Sequence, residues 1–130
     1  MAKSRKRTEY WKEDPEAHDF TAAGNYLSLL VTEAASAAIV EQLRAAPTVK
    51  HPAKDLLRAS RLPLLPSDDS EVARDLKRVS KGDSLSPVLL VRGQATADVP
   101  LIVADGYHRI CASYYLTEKA ELPCRIADLG

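Results

Sequence analysis

Asp105-Gly106-Tyr107-His108-Arg109 follows the apolar run Leu101-Ile102-Val103-Ala104 and precedes Ile110 to Leu116, which have helical spacing. A buried strand that ends in Asp-Gly and restarts as a helix leaves backbone N–H groups unpaired and aims the positive end of the helix dipole at one spot. The chemistry suited to that spot is binding of a phosphate. Arg109 offers planar, bidentate donation to phosphate oxygens, and His108 offers a second side-chain donor. Gly106 allows the tight turn. Asp105 is the nearest acid, placed to sit by a magnesium ion or an acceptor hydroxyl. The same residues admit a reading without a ligand. A guanidinium in the first turn of a helix opposes the dipole unless an acid offsets it, and Asp105 could be that acid in a purely structural pair.

The elements that must position this turn can be read from the flanking sequence. Pro87-Val88-Leu89-Leu90-Val91 and Leu101 to Ala104 are apolar without alternation and bounded by turn formers, as buried strands are. Gln94 to Val99 makes a polar hairpin between them. A helix from about Tyr107 to Leu116 crosses to a last strand near Leu122 to Ile126. Upstream, Ser67-Asp68-Asp69-Ser70 caps a helix from Glu71 to about Lys81, which Gly82 closes. Val72, Leu76 and Val79 form its apolar face, leaving Arg74, Lys77, Arg78 and Lys81 on the polar side. Leu62-Pro63-Leu64-Leu65-Pro66 is a proline-bracketed connection and cannot be a central strand. Before it lie a short extended piece at Thr48 to His51 and a helical turn opened by Pro52.

From Phe20 to Ala46 apolar residues recur at helical spacing, predicting one or two alanine-rich helices, with Thr32 as a cap and Pro47 as the stop. They are expected to pack on a sheet, or else on a second copy of the chain, which makes a homodimer a candidate assembly. Residues 1–16 read as a loose basic tail. The predicted class is therefore α+β, a small mixed sheet with packed helices plus an N-terminal helical extension. The domain is expected at 17–130, with N-terminal helices at 17–47 and a core at 48–126.

Composition narrows the function classes. The chain has 130 residues, 45% of them apolar, which is room for one domain with one core. Lys plus Arg and Asp plus Glu both number 18, so the basic excess of a nonspecific nucleic-acid binder is missing and DNA is not favoured as a partner. Lys3, Arg5, Lys6 and Arg7 crowd the start, where a solvated terminus accounts for them. Cys111 and Cys124 have neither metal-ligand spacing nor the number for a disulfide framework. No run is long and apolar enough for a membrane span or a secretory signal. A cytoplasmic protein with reduced thiols is expected.

The basic helix, the Ser-Pro-Val-Leu-Leu-Val strand, the hairpin, the strand ending in Asp-Gly-Tyr-His-Arg, the helix and the final Pro-Cys-Arg-Ile strand together resemble the ParB/sulfiredoxin superfamily over roughly residues 49–126. The whole chain is similar to a small bacterial ParB-like family. Members of the superfamily bind nucleotide phosphates at this turn. Sulfiredoxins carry Gly-Cys-His-Arg, which Gly106, His108 and Arg109 match, while Tyr107 stands where the catalytic cysteine would be. ParB partition proteins bind CTP on a Gly-Glu-Arg-Arg-like version. Free-serine kinases carry Asp-Gly-His-His-Arg, matched here at four of five positions; the stretch 54–66, where their catalytic glutamate falls, holds Asp55 and no glutamate. Aligning Val72, Leu76 and Val79 on the sulfiredoxin helix puts Arg74 and Arg78 near two of its phosphate-contacting positions and Glu71 where its lysine would be.

The resemblance implies a nucleotide such as ATP, ADP or CTP, with Mg2+ where phosphoryl transfer takes place. Phosphates would be held by Gly106, Tyr107, His108, Arg109, Arg74 and Arg78, with Asp105 and His108 in catalytic roles. The expected activity is that of a small-molecule kinase or nucleotide hydrolase. The alternative is a non-catalytic module, either nucleotide-gated and partner-binding or DNA-associated.

Overall fold

The computed structural model describes residues 10–117 and 121–129. Its elements run α1 (Ala17–Leu27), α2 (Glu33–Ala45), β1 (Val49–Pro52), α3 (Ala53–Ser60), α4 (Ser70–Ser80), β2 (Val88–Val91), β3 (Ile102–Asp105), α5 (Tyr107–Leu116) and β4 (Glu121–Ala127), with a 3-10 turn at Ala95–Ala97 between β2 and β3. The class is mixed α+β, as the sequence predicts. The four strands form one sheet in the order β1-β4-β2-β3. β4 pairs antiparallel with β1 and parallel with β2, and β2 and β3 form an antiparallel hairpin.

The unalternating strand β2 explains the layering. It lies inside the sheet and all four of its residues are buried, so both faces must be covered. Val88 and Leu90 join Leu56, Val72, Ile110 and Leu122 in a core under α3, α4 and α5. Leu89 and Val91 join Phe20, Ala23, Leu27, Ile39 and Leu43 under α1 and α2. The alanine-rich helices thus pack on the sheet. They share the second core with it and are an integral layer of the domain rather than an appendage to residues 48–126.

Local chemistry sets the helix ends. Thr32 caps α2 by accepting from Ala35 N–H at 3.2 Å. Asp69 caps α4 by accepting from both Glu71 and Val72 N–H at 3.1 Å. Gly82, at φ +95°, lets the chain leave α4. α1 starts with a reciprocal cap between Glu16 and Asp19, and the Glu16 N–H donates to Asp19 Oδ2 at 2.8 Å.

The expected loose tail at 1–16 needs correction in its second half, residues 1–9 lying outside the described residues. Lys12 N–H donates to the Leu85 carbonyl at 2.8 Å, and Leu85 N–H donates to the Tyr10 carbonyl at 2.6 Å. Trp11 packs against the core under α3 to α5, and Asp14 pairs with Arg125 at 2.9 Å. A lone tryptophan in a charged stretch gives no periodicity to read, but its large apolar area is what docks the segment. Among the described residues, no helix is long and apolar enough to cross a membrane.

Candidate functional site

Asp105, Gly106, Tyr107, His108 and Arg109 lie where β3 turns into α5. Gly106 is the N-cap of α5 at φ +112°, and lacking a side chain it supplies no capping acceptor to the first turn. Glycine is required for space as well as for φ, because a Cβ there would lie 2.5 Å from Val88 Cγ1. α4 packs beside α5, and α1 covers β3 from the other side. Where these elements meet is a cleft of about 280 Å³. α5 contributes Tyr107, His108 and Arg109 to it, α4 contributes Glu71, Arg74, Asp75 and Arg78, and α1 contributes His18 and Asp19. All of the site residues named from the sequence line this one cleft.

Within it, Arg109 is the most constrained. Its Nε donates to the Ser86 carbonyl at 3.0 Å. Its Nη2 donates to the Pro87 carbonyl at 3.3 Å and to Asp105 Oδ2 at 2.9 Å. Its Nη1 lies 4.0 Å from Asp19 Oδ1, and the side chain is only 15% exposed. Two of its three nitrogens therefore lock the entry to β2 against the end of β3. The pair with Asp105 exists, as the reading without a ligand required.

Arg74 and Arg78 are more open, at 62% and 45% side-chain exposure, which leaves them free to reorient toward a ligand. Arg74 pairs with Glu71 one turn away, and Arg78 lies 3.7 Å from Asp75. The Tyr107 hydroxyl donates to the Pro63 carbonyl, pinning the connection before α4 to α5. Tyr107 thus presents its backbone N–H, not its hydroxyl, to the cleft mouth. Its ring lies 5.6 Å from that of His108, centre to centre.

Burial dominates the site's acids. It pushes the Asp105 carboxyl above the ordinary carboxylate value; the charge and hydrogen bond of Arg109 pull it back, and the neighbouring Asp19 adds to the upward shift. Asp75 is also raised by burial, against the opposing pull of Arg109, Arg78 and Arg74. Asp75 therefore binds its proton more tightly folded than unfolded. Its contribution to stability is full below the ordinary carboxylate value and drains away as pH rises through the raised folded value. Asp75→Asn is expected to stabilise the protein at pH 7 and to change little at pH 3, as read from urea midpoints. A variant less stable at pH 7 would mean that the Arg78 contact outweighs the burial.

Sequence reasoning missed His18, Asp19 and Asp75. His18 and Asp19 sit where a polar segment gives way to a helix, and Asp75 sits inside a charge-rich helix, so neither place carries a local signal. Cys111 is fully buried, as a core cysteine is, and burial raises its thiol. Burial pushes the Cys124 thiol up to about 12. Both thiols are buried away from solvent. Among the described residues no three His, Cys, Asp or Glu side chains are grouped to hold a metal ion. A magnesium ion here would take most of its ligands from nucleotide phosphates and water. Compared with models of known protein families, with curated proteins and with solved structures, the chain matches none.

Proposed function

We propose that the protein is a phosphate-binding domain of ParB/sulfiredoxin type whose cleft takes the phosphates of a nucleotide. One observation carries this reading. The uncapped N-terminus of α5 opens into a polar cleft along which α4 sets Arg74 and Arg78 and the neighbouring turns set His18 and His108. In this reading the α5 amides and the two exposed arginines hold the phosphates, while Arg109 fixes the loop that presents the amides. Asp105 is the acid nearest the bound group. With phosphoryl transfer needing chiefly positioning and charge neutralisation, a kinase or nucleotide hydrolase is the activity that follows.

Arg74 and Arg78 test the reading cleanly, because both are on the surface and their loss changes stability by only about 0.5 kcal/mol. Titration calorimetry with ATP, ADP, CTP and GTP, with and without Mg2+, is expected to find one nucleotide that binds. Arg74→Ala and Arg78→Ala are each expected to weaken it by about 1.5–3 kcal/mol, the worth of a charged hydrogen bond. Unchanged affinity in both variants would remove α4 from the site, and no binding by any nucleotide would end the reading.

A non-catalytic, partner-binding module is favoured by one observation. Leu29 is 82% exposed beside half-exposed Leu30 and Tyr26 at the α1–α2 turn, an apolar knob of the kind that meets a partner protein or a second copy.

A further inference from the structure

A second concavity lies away from the cleft, where α3 passes into the proline-bracketed connection. It is a groove of about 450 Å³. Lys54, Arg58 and Arg61 come to it from α3 and its C-cap, Leu62 and Leu64 from the connection, and Tyr114 from α5; none of the residues lining it is acidic. α5 anchors the connection, because the Tyr107 hydroxyl donates to the Pro63 carbonyl and the Tyr115 hydroxyl to the Leu65 carbonyl. Leu64 stands exposed on that anchored backbone.

The three cations gain little from the fold. Lys54 is the second residue of α3, at the positive end of the helix dipole, where a cation is disfavoured, and among the described residues it makes no ion pair. Arg58 is exposed, and its contact with Asp55 is a loose 3.6 Å. Arg61 is the C-cap of α3 at φ +59°, a left-handed position that glycine fills without strain. It pairs with Asp98 at 2.5 Å, but both partners are exposed, and such a pair gives way readily to another carboxylate. Cations beside apolar side chains, with no acid in the lining, make a surface that an acidic partner completes.

Spacing narrows the partner. Residues four apart on a helix stand about 6 Å apart, close to the 6–7 Å (roughly) between alternate residues of an extended chain. An extended segment laid along α3 therefore sets every second side chain against a cation and turns those between toward Leu62, Leu64 and Tyr114. A nucleic acid would use the cations and leave the leucines without a match, since bases stack on aromatic rings rather than on aliphatic walls. A membrane takes up apolar groups that protrude, and these line a hollow.

We propose that this groove docks an extended segment of a partner protein in which acidic and aliphatic residues alternate. The surface is separate from the phosphate cleft, and the inference does not depend on that reading. Carboxylates of the segment pair with Lys54, Arg58 and Arg61, displacing Asp98 from the last of these, and its aliphatic side chains cover Leu64.

The probe is a short labelled peptide of alternating Glu and Leu, followed by fluorescence anisotropy on the full chain, beside versions with Gln for Glu and with Ser for Leu. The Glu-Leu peptide is expected to bind with a Kd of about 10–100 μM, and each altered version about tenfold more weakly. Lys54→Glu and Arg58→Glu are each expected to weaken it about tenfold, and Lys81→Glu, the same change of charge outside the groove, to leave it as it was. With Lys54→Glu and Arg58→Glu combined, a Lys-Leu peptide is expected to bind in place of the Glu-Leu one, a rescue that no loss of fold can imitate. Equal binding of the Gln-Leu peptide would overturn the inference, as would binding of no peptide or affinity unchanged in both single variants. Oligothymidylate or phosphatidylserine vesicles, bound more tightly than the peptide and lost in the same two variants, would overturn the protein partner in favour of a nucleic acid or a membrane.

Discussion

Arg109→Leu is expected to cost about 3–5 kcal/mol of folding stability, the range for removing one partner from a buried ion pair. Leucine fills the space of the apolar stem and removes every donor. The Ser86 and Pro87 carbonyls and Asp105 then lose the group that joins them across the β2–β3 end of the sheet. Against a total stability of about 5–15 kcal/mol for a domain of this kind, the loss is a large fraction of the whole. Urea denaturation with an unchanged slope and a lowered midpoint would show it. Arg109→Lys is expected to recover little, because one ammonium cannot reproduce the planar fork that reaches three acceptors in different directions. A loss below about 1 kcal/mol would place Arg109 among ordinary surface pairs and free it to swing onto a ligand.

The size of that effect decides how the site can be probed. A variant that unfolds the β3–α5 turn loses ligand binding whether or not the residue touches ligand, so Arg109 cannot report on binding by itself. Arg74 and Arg78 can, because at 62% and 45% exposure they support little of the fold. The motif arginine holds the turn in shape, and the exposed arginines of α4 meet the solvent side of the same cleft.

What was legible in the sequence followed from local rules. The strand at Val88–Val91 was readable because a strand buried on both faces shows an uninterrupted apolar run. The cap at Thr32, and a cap within Ser67-Asp68-Asp69-Ser70 that the structure assigns to Asp69, were readable because a side-chain oxygen before a helix has one strong use. The turn residues were readable because Asp-Gly between a strand and a helix constrains the backbone directly. The missing part was long-range. Asp19 comes to within 4.0 Å of Arg109 from a helix near the start of the described chain, and no periodicity encodes that meeting. Trp11 was lost for a related reason: one apolar residue among charges looks solvated until the isolated bridge to Leu85, outside the named strands, is there to receive it.

Those long-range contacts change the chemistry of the motif. Read alone, Asp105 and Arg109 neutralise each other and leave the α5 amides to an anion. Once Asp19 and Asp75 are added, the buried side of the cleft carries more acid than base, with cations concentrated at its exposed rim. The exposed arginines of α4 thus stand at the mouth of the cleft, while the more deeply buried carboxyl groups and Arg109 form its floor.

Gly106→Ala is expected to cost about 3 kcal/mol or more, from two additive sources. The first is the backbone: at φ +112° a side chain is strained, at about 1–2 kcal/mol. The second is space. The new Cβ would stand 2.8 Å from Val88 Cβ, 2.5 Å from Val88 Cγ1 and 2.9 Å from Arg109 Nη2, and overpacking of a tight core costs about 1–3 kcal/mol. Gly82 separates the two, because at φ +95° it has the same strain with nothing within 4 Å of an added Cβ. Gly82→Ala is thus expected to lose only the backbone share, about 1 kcal/mol, in the same urea titration. Truncating the obstacle completes the argument. In a Val88→Ala background, Gly106→Ala is expected to cost less than it does in the wild type, the positive coupling of two residues that compete for one volume. Strict additivity would mean that Val88 is not what bars a side chain there, and that the backbone angle alone makes glycine necessary at the start of α5.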